Sequence, residues 1–268
     1  MKKQLGTLVI SAILATASYG QQTASTHNQT TQVIAHRGYW NRNGSAQNSI
    51  ASLQYAQEIG IYGSEFDVHM TADKELIVFH ELHIDTIQDV RQAPYATIQN
   101  HLLTNGEHIP LLSEYLDYGA ANTNIKLILE IKSHLTPKLE TEMVSKILAM
   151  VDERSLHDRV EYIAFSLHIC RELVRLNPTA SVAYLSGDIS PTQALEYGLT
   201  GIDYHYSKYT NNPGWIKEAR EKGVTVNVWT VNNENDILNM LNQGVDFITT
   251  DYPEVIQQLI KKRESIKQ

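Results

Sequence analysis

Short hydrophobic runs with high β propensity alternate with segments of helical periodicity along most of the chain. This alternation is typical of βα units arranged around a parallel sheet. The pattern predicts nine strands, over residues 33–35, 63–70, 76–79, 126–131, 162–165, 182–185, 201–204, 224–229 and 247–249. It predicts helices over residues 48–59, 112–120, 137–152, 168–176, 191–197, 214–222 and 234–242.

Nine strands are one more than the eight of a (β/α)8 barrel. The second and third predicted strands are the exception, because a helical crossover between parallel strands needs about a dozen or more residues. The stretch between them, Thr71-Ala72-Asp73-Lys74, has the composition of a turn. We therefore expect a single-domain (β/α)8 TIM-type barrel over 32–262, with a β-hairpin that brings His80 opposite Phe66.

The first 20 residues have the pattern of a cleaved export signal, in which Lys2 and Lys3 precede an apolar run. That run is shorter than the roughly 20 apolar residues that cross a bilayer, although an uncleaved membrane anchor is the alternative. Residues 21–31 are polar and predict a flexible lead-in, and residues 263–268 predict a short tail. We expect an exported, periplasmic protein without stable membrane insertion.

The net charge of −8 becomes more negative once the signal and its two lysines are removed. A negative field opposes the binding of polyanions, so we expect a small-molecule partner and no nucleic acid. A phosphate-containing substrate would then need local positive charge from a metal ion or an arginine. Cys170 is the only cysteine, which excludes an intramolecular disulfide.

On two of the predicted strands, charged residues occupy every second position and therefore share one face of the strand. Glu65, Asp67 and His69 share one face, because side chains alternate along a strand. Glu130 and Lys132 are in phase on a later strand. A solvated strand face is one interpretation, but carboxylates inside a closed barrel are costly unless they hold a cation. Oxygen ligands favour Mg2+ or Ca2+ over zinc.

His36 and Arg37 follow the first predicted strand directly, and Gly38 can form the turn. The carboxyl ends of the strands make the active site in this kind of barrel. Arginine binds phosphate through two parallel hydrogen bonds, and histidine moves protons near neutral pH. Taken alone, such a short motif also occurs in ordinary surface loops.

Two other chemistries fit the sequence less well. The stretch from His80 to His83 contains two histidines three residues apart after a β-rich run, whereas the zinc protease motif has them four apart on a helix. The nucleophile motif of serine hydrolases is absent. Cys170 has no activating context and is expected in the core or at a helix start.

Taken in order, the motifs resemble the glycerophosphodiester phosphodiesterase family over most of the chain after the signal. The matching stretches are 33–38, 65–68, 71–73, 78–80, 129–132, 228–231 and 244–253. The resemblance implies a (β/α)8 barrel in which His36 and His80 are the general acid and base. By the same resemblance, the ligands of a divalent cation are Glu65, Asp67 and Glu130. Arg37 and Lys132 would bind the phosphate, and Trp229 would lie beside the glycerol group.

Two positions depart from the family pattern as the resemblance defines it. Gln47 stands where a glutamate is usual before the first helix, and Glu81 stands where an aspartate usually follows the histidine. The expected reaction is metal-dependent hydrolysis of glycerophosphodiesters to glycerol 3-phosphate and an alcohol. The alternatives are a related phosphodiesterase for a phosphoinositide, a sphingolipid or a phosphorylated glycan, and a barrel that binds phosphoglycerol without cleaving it.

Overall fold

Eight parallel strands close into a barrel in the computed structural model, which describes residues 30–267. The predicted export signal and residues 21–29 of the lead-in lie outside the described residues. The strands are β1 Gln32–Ala35, β2 Gly63–Met70, β3 Leu76–Val78, β4 Lys126–Ile131, β5 Val160–Ala164, β6 Val182–Tyr184, β7 Gly201–His205, β8 Thr225–Trp229 and β9 Phe247–Thr250. Around the barrel the order is β1, β2, β4, β5, β6, β7, β8 and β9, and β9 pairs with β1.

Helices on the outside of the barrel follow most of the strands. They are α1 Ile50–Glu58, α2 Leu112–Asn122, α3 Pro137–Glu153, α4 Leu167–Leu176, α5 Pro191–Glu196, α6 Ser207–Asn211, α7 Trp215–Lys222, α8 Glu234–Gln243 and α9 Pro253–Lys267. The seven predicted helices match α1 to α5, α7 and α8 to within two residues at each end. The (β/α)8 barrel is confirmed.

The ninth strand is the hairpin partner that the short connection predicts. β3 pairs antiparallel with β2, and Val78 lies opposite Val68. Lys74, with φ 71°, adopts the left-handed conformation in the turn. The ladder continues beyond β3, because the Phe79 N–H donates to the Asp67 carbonyl at 3.0 Å. His80 is thereby brought level with the part of β2 that carries the acidic residues.

The segment between β3 and α2 has no predicted element and forms a small substructure of its own. It contains two 3-10 turns, Val90–Gln92 and Tyr95–Thr97. Ile84, Val90 and Ile98 are buried there in a separate apolar cluster. A cavity of about 650 Å³ in this segment has none of the predicted site residues in its lining.

The main core lies between the barrel and the helices. Phe66 of β2 packs against Tyr115 of α2, with ring centroids 4.4 Å apart, so the apolar face of β2 points outward as its alternation predicts. Cys170 is fully buried in this core. Within residues 30–267 no helix combines the length and apolar character that a membrane span requires.

At both ends of the predicted domain, residues assigned to the flexible lead-in or to the tail form contacts with the barrel domain. Thr31, assigned to the lead-in, is buried, and its hydroxyl donates to the Val245 carbonyl at 2.8 Å. At the other end, α9 continues through Lys267, so residues 263–267 of the predicted tail are helical. Arg263 donates to Asn242 at 2.7 Å.

Candidate active site

A pocket of about 160 Å³ opens at the carboxyl ends of the barrel strands. Its lining consists of His36, Arg37, Glu65, His80, Glu130, Lys132, Ile163, Phe165, Leu185, Asp203, Trp229, Thr230 and Thr249. Seven of the eight predicted site residues are among them, and the eighth, Asp67, is buried directly behind. The structure therefore brings all the predicted site residues together.

The interior side chains of the pocket come from alternate strands, as is usual in layered barrels of this type. One layer is drawn from β2, β5, β7 and β9, and its members are Glu65, Ile163, Asp203 and Thr249. The layer above it is drawn from β1, β4, β6 and β8. Its members are Glu130 and Trp229, which lie within β4 and β8, and His36 and Leu185, which directly follow β1 and β6.

Three buried carboxylates cluster on one side of this pocket. Glu65, Asp67 and Glu130 each place an oxygen within 4.8 Å of the others. Burial and the neighbouring carboxylates raise the pKa of Glu65 well above its usual value. Burial also raises the pKa of Glu130, to about 7. This crowding of negative charge is unfavourable unless a positive charge is added.

Asp67 is the most firmly held member of the cluster. Lys132 contacts it at 2.7 Å, and the Asn48 amide both donates to its carboxylate at 2.8 Å and accepts from its backbone N–H at 3.0 Å. Burial alone would raise the pKa of Asp67, but the charges of Lys132, His80 and Arg37 hold it below its usual value. Asp67 is therefore ionised, as a metal ligand must be.

The cluster fits a divalent cation. The Glu65 Oε1 atom is buried and has no hydrogen-bond partner among residues 30–267, while its Oε2 atom accepts from the Arg37 backbone N–H at 2.7 Å. An unpaired oxygen beside two further carboxylates is a suitable donor for a hard cation. A set made only of oxygen donors matches Mg2+ or Ca2+ better than zinc.

Lys132 and Arg37 place positive charge at the same end of the pocket. The Lys132 ammonium lies 2.6 Å from Glu130 and 2.7 Å from Asp67, so it forms an ion pair with each carboxylate. Burial would lower the pKa of Lys132, but these two carboxylates raise it above its usual range. Arg37 donates to the Gln47 side chain at 2.6 Å. Gln47 therefore orients the guanidinium without neutralising it.

The loop that carries Arg37 has a strained backbone. Arg37 has φ 55° and Asn48 has φ 61°, both in the left-handed region that few side chains adopt. Gly38, at φ 76°, packs so closely that a Cβ atom would overlap the Ser52 hydroxyl. Ser49 caps α1 by accepting from the Ser52 N–H, which frees Asn48 to bind Asp67.

His36 is held by a hydrogen-bond network from distant parts of the chain. Its Nδ1 atom lies 2.8 Å from Asp251 Oδ1, and Asp251 also accepts from Trp40 at 3.0 Å and Asn232 at 2.6 Å. Burial would raise the pKa of Asp251, but the hydrogen bonds from these three residues lower it. The Nε2 atom of His36 is left for the pocket.

His80 has a local partner instead. Its Nδ1 atom lies 2.9 Å from the carboxylate of the next residue, Glu81. Its carbonyl oxygen is 3.1 Å from the His69 Nε2 atom, so His69 supports the backbone of His80 from inside the barrel. Burial lowers the pKa of His80, and the charges of Lys132 and Arg37 lower it further.

The opposite side of the pocket is mostly apolar. Trp229 lies between Phe165 and His205, with ring centroids 5.6 Å and 5.4 Å away and nearly perpendicular planes. Its indole N–H donates to the Asp203 backbone carbonyl at 2.8 Å, which fixes the ring against the wall. His205 therefore supports this wall.

Sequence reasoning missed several residues of this site. The sequence predicts Asn48 as the first residue of a helix and Asp203 as an ordinary strand residue. Asp251 stood in a quoted motif without a role, and its neighbours Trp40 and Asn232 carried no signal. Asp203 is in phase with Gly201 and His205, so its inward orientation could have been read from alternation.

Comparison with known proteins agrees with this geometry. The profile of the glycerophosphoryl diester phosphodiesterase family matches residues 36–255. A crystal structure of a glycerophosphodiester phosphodiesterase from Parabacteroides distasonis is 44% identical, with a TM-score of 0.86, and the match covers 88% of this chain and 99% of that one.

Two further relatives are more distant. The glycerophosphodiester phosphodiesterase of Caldanaerobacter subterraneus is 27% identical over 246 residues, or 87% of this chain and 98% of that protein. A phosphodiesterase from Oleispira antarctica, solved with its product sn-glycerol-3-phosphate, is 26% identical, with a TM-score of 0.72 and coverage of 87% and 97%. The chain therefore belongs to the glycerophosphoryl diester phosphodiesterase family, and the prediction of a phosphodiesterase is confirmed at that level.

Proposed function

We propose that this protein hydrolyses glycerophosphodiesters to glycerol 3-phosphate and an alcohol, with a divalent cation and with His36 and His80 as the acid and base. One observation carries the proposal. Two histidines, each paired with a carboxylate through Nδ1, face the same pocket as the three-carboxylate cluster. A protein that only bound phosphoglycerol would not require two groups that move protons.

Glu65, Asp67 and Glu130 would hold the cation, and we propose Mg2+ or Ca2+. When bound, it would supply positive charge beside the phosphate. Arg37 and Lys132 would bind phosphate oxygens and stabilise the charge that grows on them in the transition state. Gln47 supports this assignment, because it holds the guanidinium without adding a second negative charge to the ion pair between Arg37 Nε and Asp67 at 3.7 Å.

His80 suits the role of base, since its lowered pKa keeps it neutral near pH 7. It would remove a proton from the attacking oxygen, which belongs either to water or to the neighbouring glycerol hydroxyl. His36, held by Asp251 through its Nδ1 atom, would then donate a proton from Nε2 to the oxygen of the leaving alcohol.

The small size of the pocket supports a glycerol end group. Its volume of about 160 Å³ is below the roughly 300–1,000 Å³ of pockets for drug-sized ligands, so a compact group fits better than a sphingolipid or a glycan. The Oleispira antarctica relative contains sn-glycerol-3-phosphate. We also propose that the protein is exported, on the pattern of residues 1–20.

The test is turnover of glycerophosphocholine with Mg2+ or Ca2+, followed by complete removal of the cation with a chelator. We expect glycerol 3-phosphate and choline as products, and a loss of activity on chelation that added cation restores. Unchanged activity without any cation would contradict the metal role. Tight binding of the diester without any product would favour a binding protein over an enzyme.

A further inference from the structure

Asp203 is a buried carboxyl group in the pocket to which the proposed reaction gives no role. It lies on β7 with 2% of its surface exposed, and it lines the pocket. Its Oδ1 atom is buried and lacks a hydrogen-bond partner in the part of the chain that the structure describes. A buried polar atom without a partner costs free energy, so a partner from outside the protein is expected.

The neighbours of Asp203 are engaged elsewhere. The Trp229 indole donates to the backbone carbonyl of Asp203 and not to its carboxyl group. Asn227, which pairs with Asp203 in the sheet, donates its side-chain amide to the Thr249 hydroxyl at 2.9 Å. The Asn227 amide also interacts with the Asp203 carboxyl group and lowers its pKa, but it leaves the Oδ1 atom without a hydrogen bond. Ile163, Phe165 and Leu185 on this side of the pocket are apolar, and the Thr249 hydroxyl is already bonded to Asn227. Nothing described on this wall replaces the missing partner.

Asp203 is also separate from the proposed cation ligands. In the barrel order β7 lies four strands from β2 in either direction, so Asp203 faces Glu65 across the pocket. The group of carboxylates within 4.8 Å of one another contains Glu65, Asp67 and Glu130 and does not contain Asp203. One ion held by those three would therefore not be shared with Asp203.

We propose that the Asp203 carboxyl group binds a free hydroxyl group of the substrate and thereby selects for a glycerol end. This inference rests on the proposed function, which puts the phosphate at Arg37 and Lys132. The carbon chain would then extend along the apolar wall of Ile163 and Trp229 towards Asp203. A site built to pair with a hydroxyl group rejects an analogue that lacks it, because the buried carboxyl group is left unpaired.

The protonation state of Asp203 suits this role. Burial raises the pKa of Asp203 to about 8, so the carboxyl group is mostly protonated at neutral pH. A protonated carboxyl group donates one hydrogen bond and accepts others, and a hydroxyl group can match both. A neutral group also avoids a second negative charge across the pocket from the carboxylate cluster.

The test compares binding of two ligands, sn-glycerol 3-phosphate and propyl phosphate, which differ only in the two hydroxyl groups. Calorimetry with Ca2+ present gives both affinities for the wild type, Asp203→Leu and Asp203→Ala. We expect the wild type to prefer sn-glycerol 3-phosphate. Both variants should lower that preference about tenfold or more, as loss of a hydrogen bond to a buried carboxyl group implies. They should bind propyl phosphate at least as tightly as the wild type does, because no carboxyl group is then left unpaired.

Glu161→Gln is the matched control. Glu161 is also a carboxylate of the barrel interior, but it accepts a hydrogen bond from Tyr62 and does not line this pocket. We expect Glu161→Gln to keep the wild-type preference. Thermal unfolding should show Asp203→Leu folded, because leucine has a similar size and needs no hydrogen-bond partner.

The outcomes separate the two proposals. If the wild type prefers sn-glycerol 3-phosphate and the folded Asp203 variants keep that preference, the role of Asp203 is wrong and the proposed function stands. Equal weakening of both ligands would also overturn it, because a purely structural residue acts in that way. A wild type that neither hydrolyses glycerophosphocholine nor binds sn-glycerol 3-phosphate would overturn the proposed function itself.

Discussion

His36 and His80 line the same pocket and each has a carboxylate on Nδ1, yet the two are held in different ways. Asp251, the partner of His36, is itself bound by Trp40 and Asn232, and its side chain is 18% exposed. Glu81, the partner of His80, is the next residue in the chain, and its side chain is 51% exposed. His36 is thus fixed by tertiary structure and His80 by its own loop.

This difference indicates which of the two imidazole rings depends on its carboxylate partner for its orientation. A buried carboxylate with several donors holds one geometry, whereas an exposed carboxylate competes with water for its hydrogen bonds. We expect the Asp251 network to contribute to activity by positioning His36. The position of His80 should depend more on the β2–β3 hairpin and on His69.

Replacement of either histidine is expected to have the largest effect, and it tests whether both act in the reaction. His36→Ala and His80→Ala should each lower kcat for glycerophosphocholine by about 10²- to 10⁴-fold, the usual contribution of a general acid or base. Cation binding, measured by calorimetry, should be retained. His157→Ala, at an exposed position outside the pocket, is the control. Normal turnover in either pocket variant would exclude that histidine from the mechanism.

Asp251→Asn should lower kcat/KM by about 10- to 100-fold, because the amide can present an N–H group to His36 Nδ1 and favour the wrong tautomer. Steady-state kinetics with glycerophosphocholine would measure the loss, and thermal unfolding would verify the fold. Activity within twofold of the wild type would mean that His36 does not depend on its network.

Trp40→Phe removes one of the donors to Asp251 and keeps an aromatic ring. A hydrogen bond to a charged group contributes about 1.5–3 kcal/mol, but Asn232 and His36 still hold Asp251, so we expect only a roughly fivefold loss in kcat/KM. The double variant with Asp251→Asn should be little worse than Asp251→Asn alone, since both act through His36. Additive losses would show that Trp40 acts independently of Asp251.

Glu81→Gln is expected to have the smallest effect, with kcat/KM at its pH optimum within about threefold of the wild type, since an exposed pair contributes little. The pH profile should nevertheless change. The Glu81 carboxylate raises the pKa of His80, so its removal lowers that pKa, and the acid limb of the profile should move to lower pH. A loss as large as that of Asp251→Asn would remove the distinction between the two histidines.

The parts of the site that the sequence predicts depend on local periodicity. Glu65 and Asp67 are two residues apart on one strand, so their common orientation follows from alternation. The position of His80 beside these carboxylates follows from the connection between the two strands, which is too short for a helix and therefore predicts a hairpin. The inward orientation of Glu130 follows from its alternation with apolar residues along one strand. That Glu130 lies near Glu65 follows once the strands are assumed to form a barrel.

The parts that the sequence did not predict depend on closure of the barrel or on unusual backbone conformation. Asp251 reaches His36 because β9 pairs with β1, although they lie at opposite ends of the chain. Asn48 binds Asp67 from a left-handed conformation that helical periodicity does not indicate. The segment 79–111 shows neither a helical nor a strand period, so its separate cluster could not be anticipated.

The β2–β3 hairpin sets a limit on how the family can vary in length. A shift of one residue along a strand reverses which face each side chain occupies. A single insertion or deletion within the paired residues 68–70 or 76–78 would therefore turn the His80 side chain away from the pocket, or require a bulge to absorb it. Residues 82–108 lie outside this ladder, and surface segments of that kind tolerate changes in length. Alignments of functional relatives should thus contain gaps in the turn 71–75 or after His80, and almost none within the paired strands.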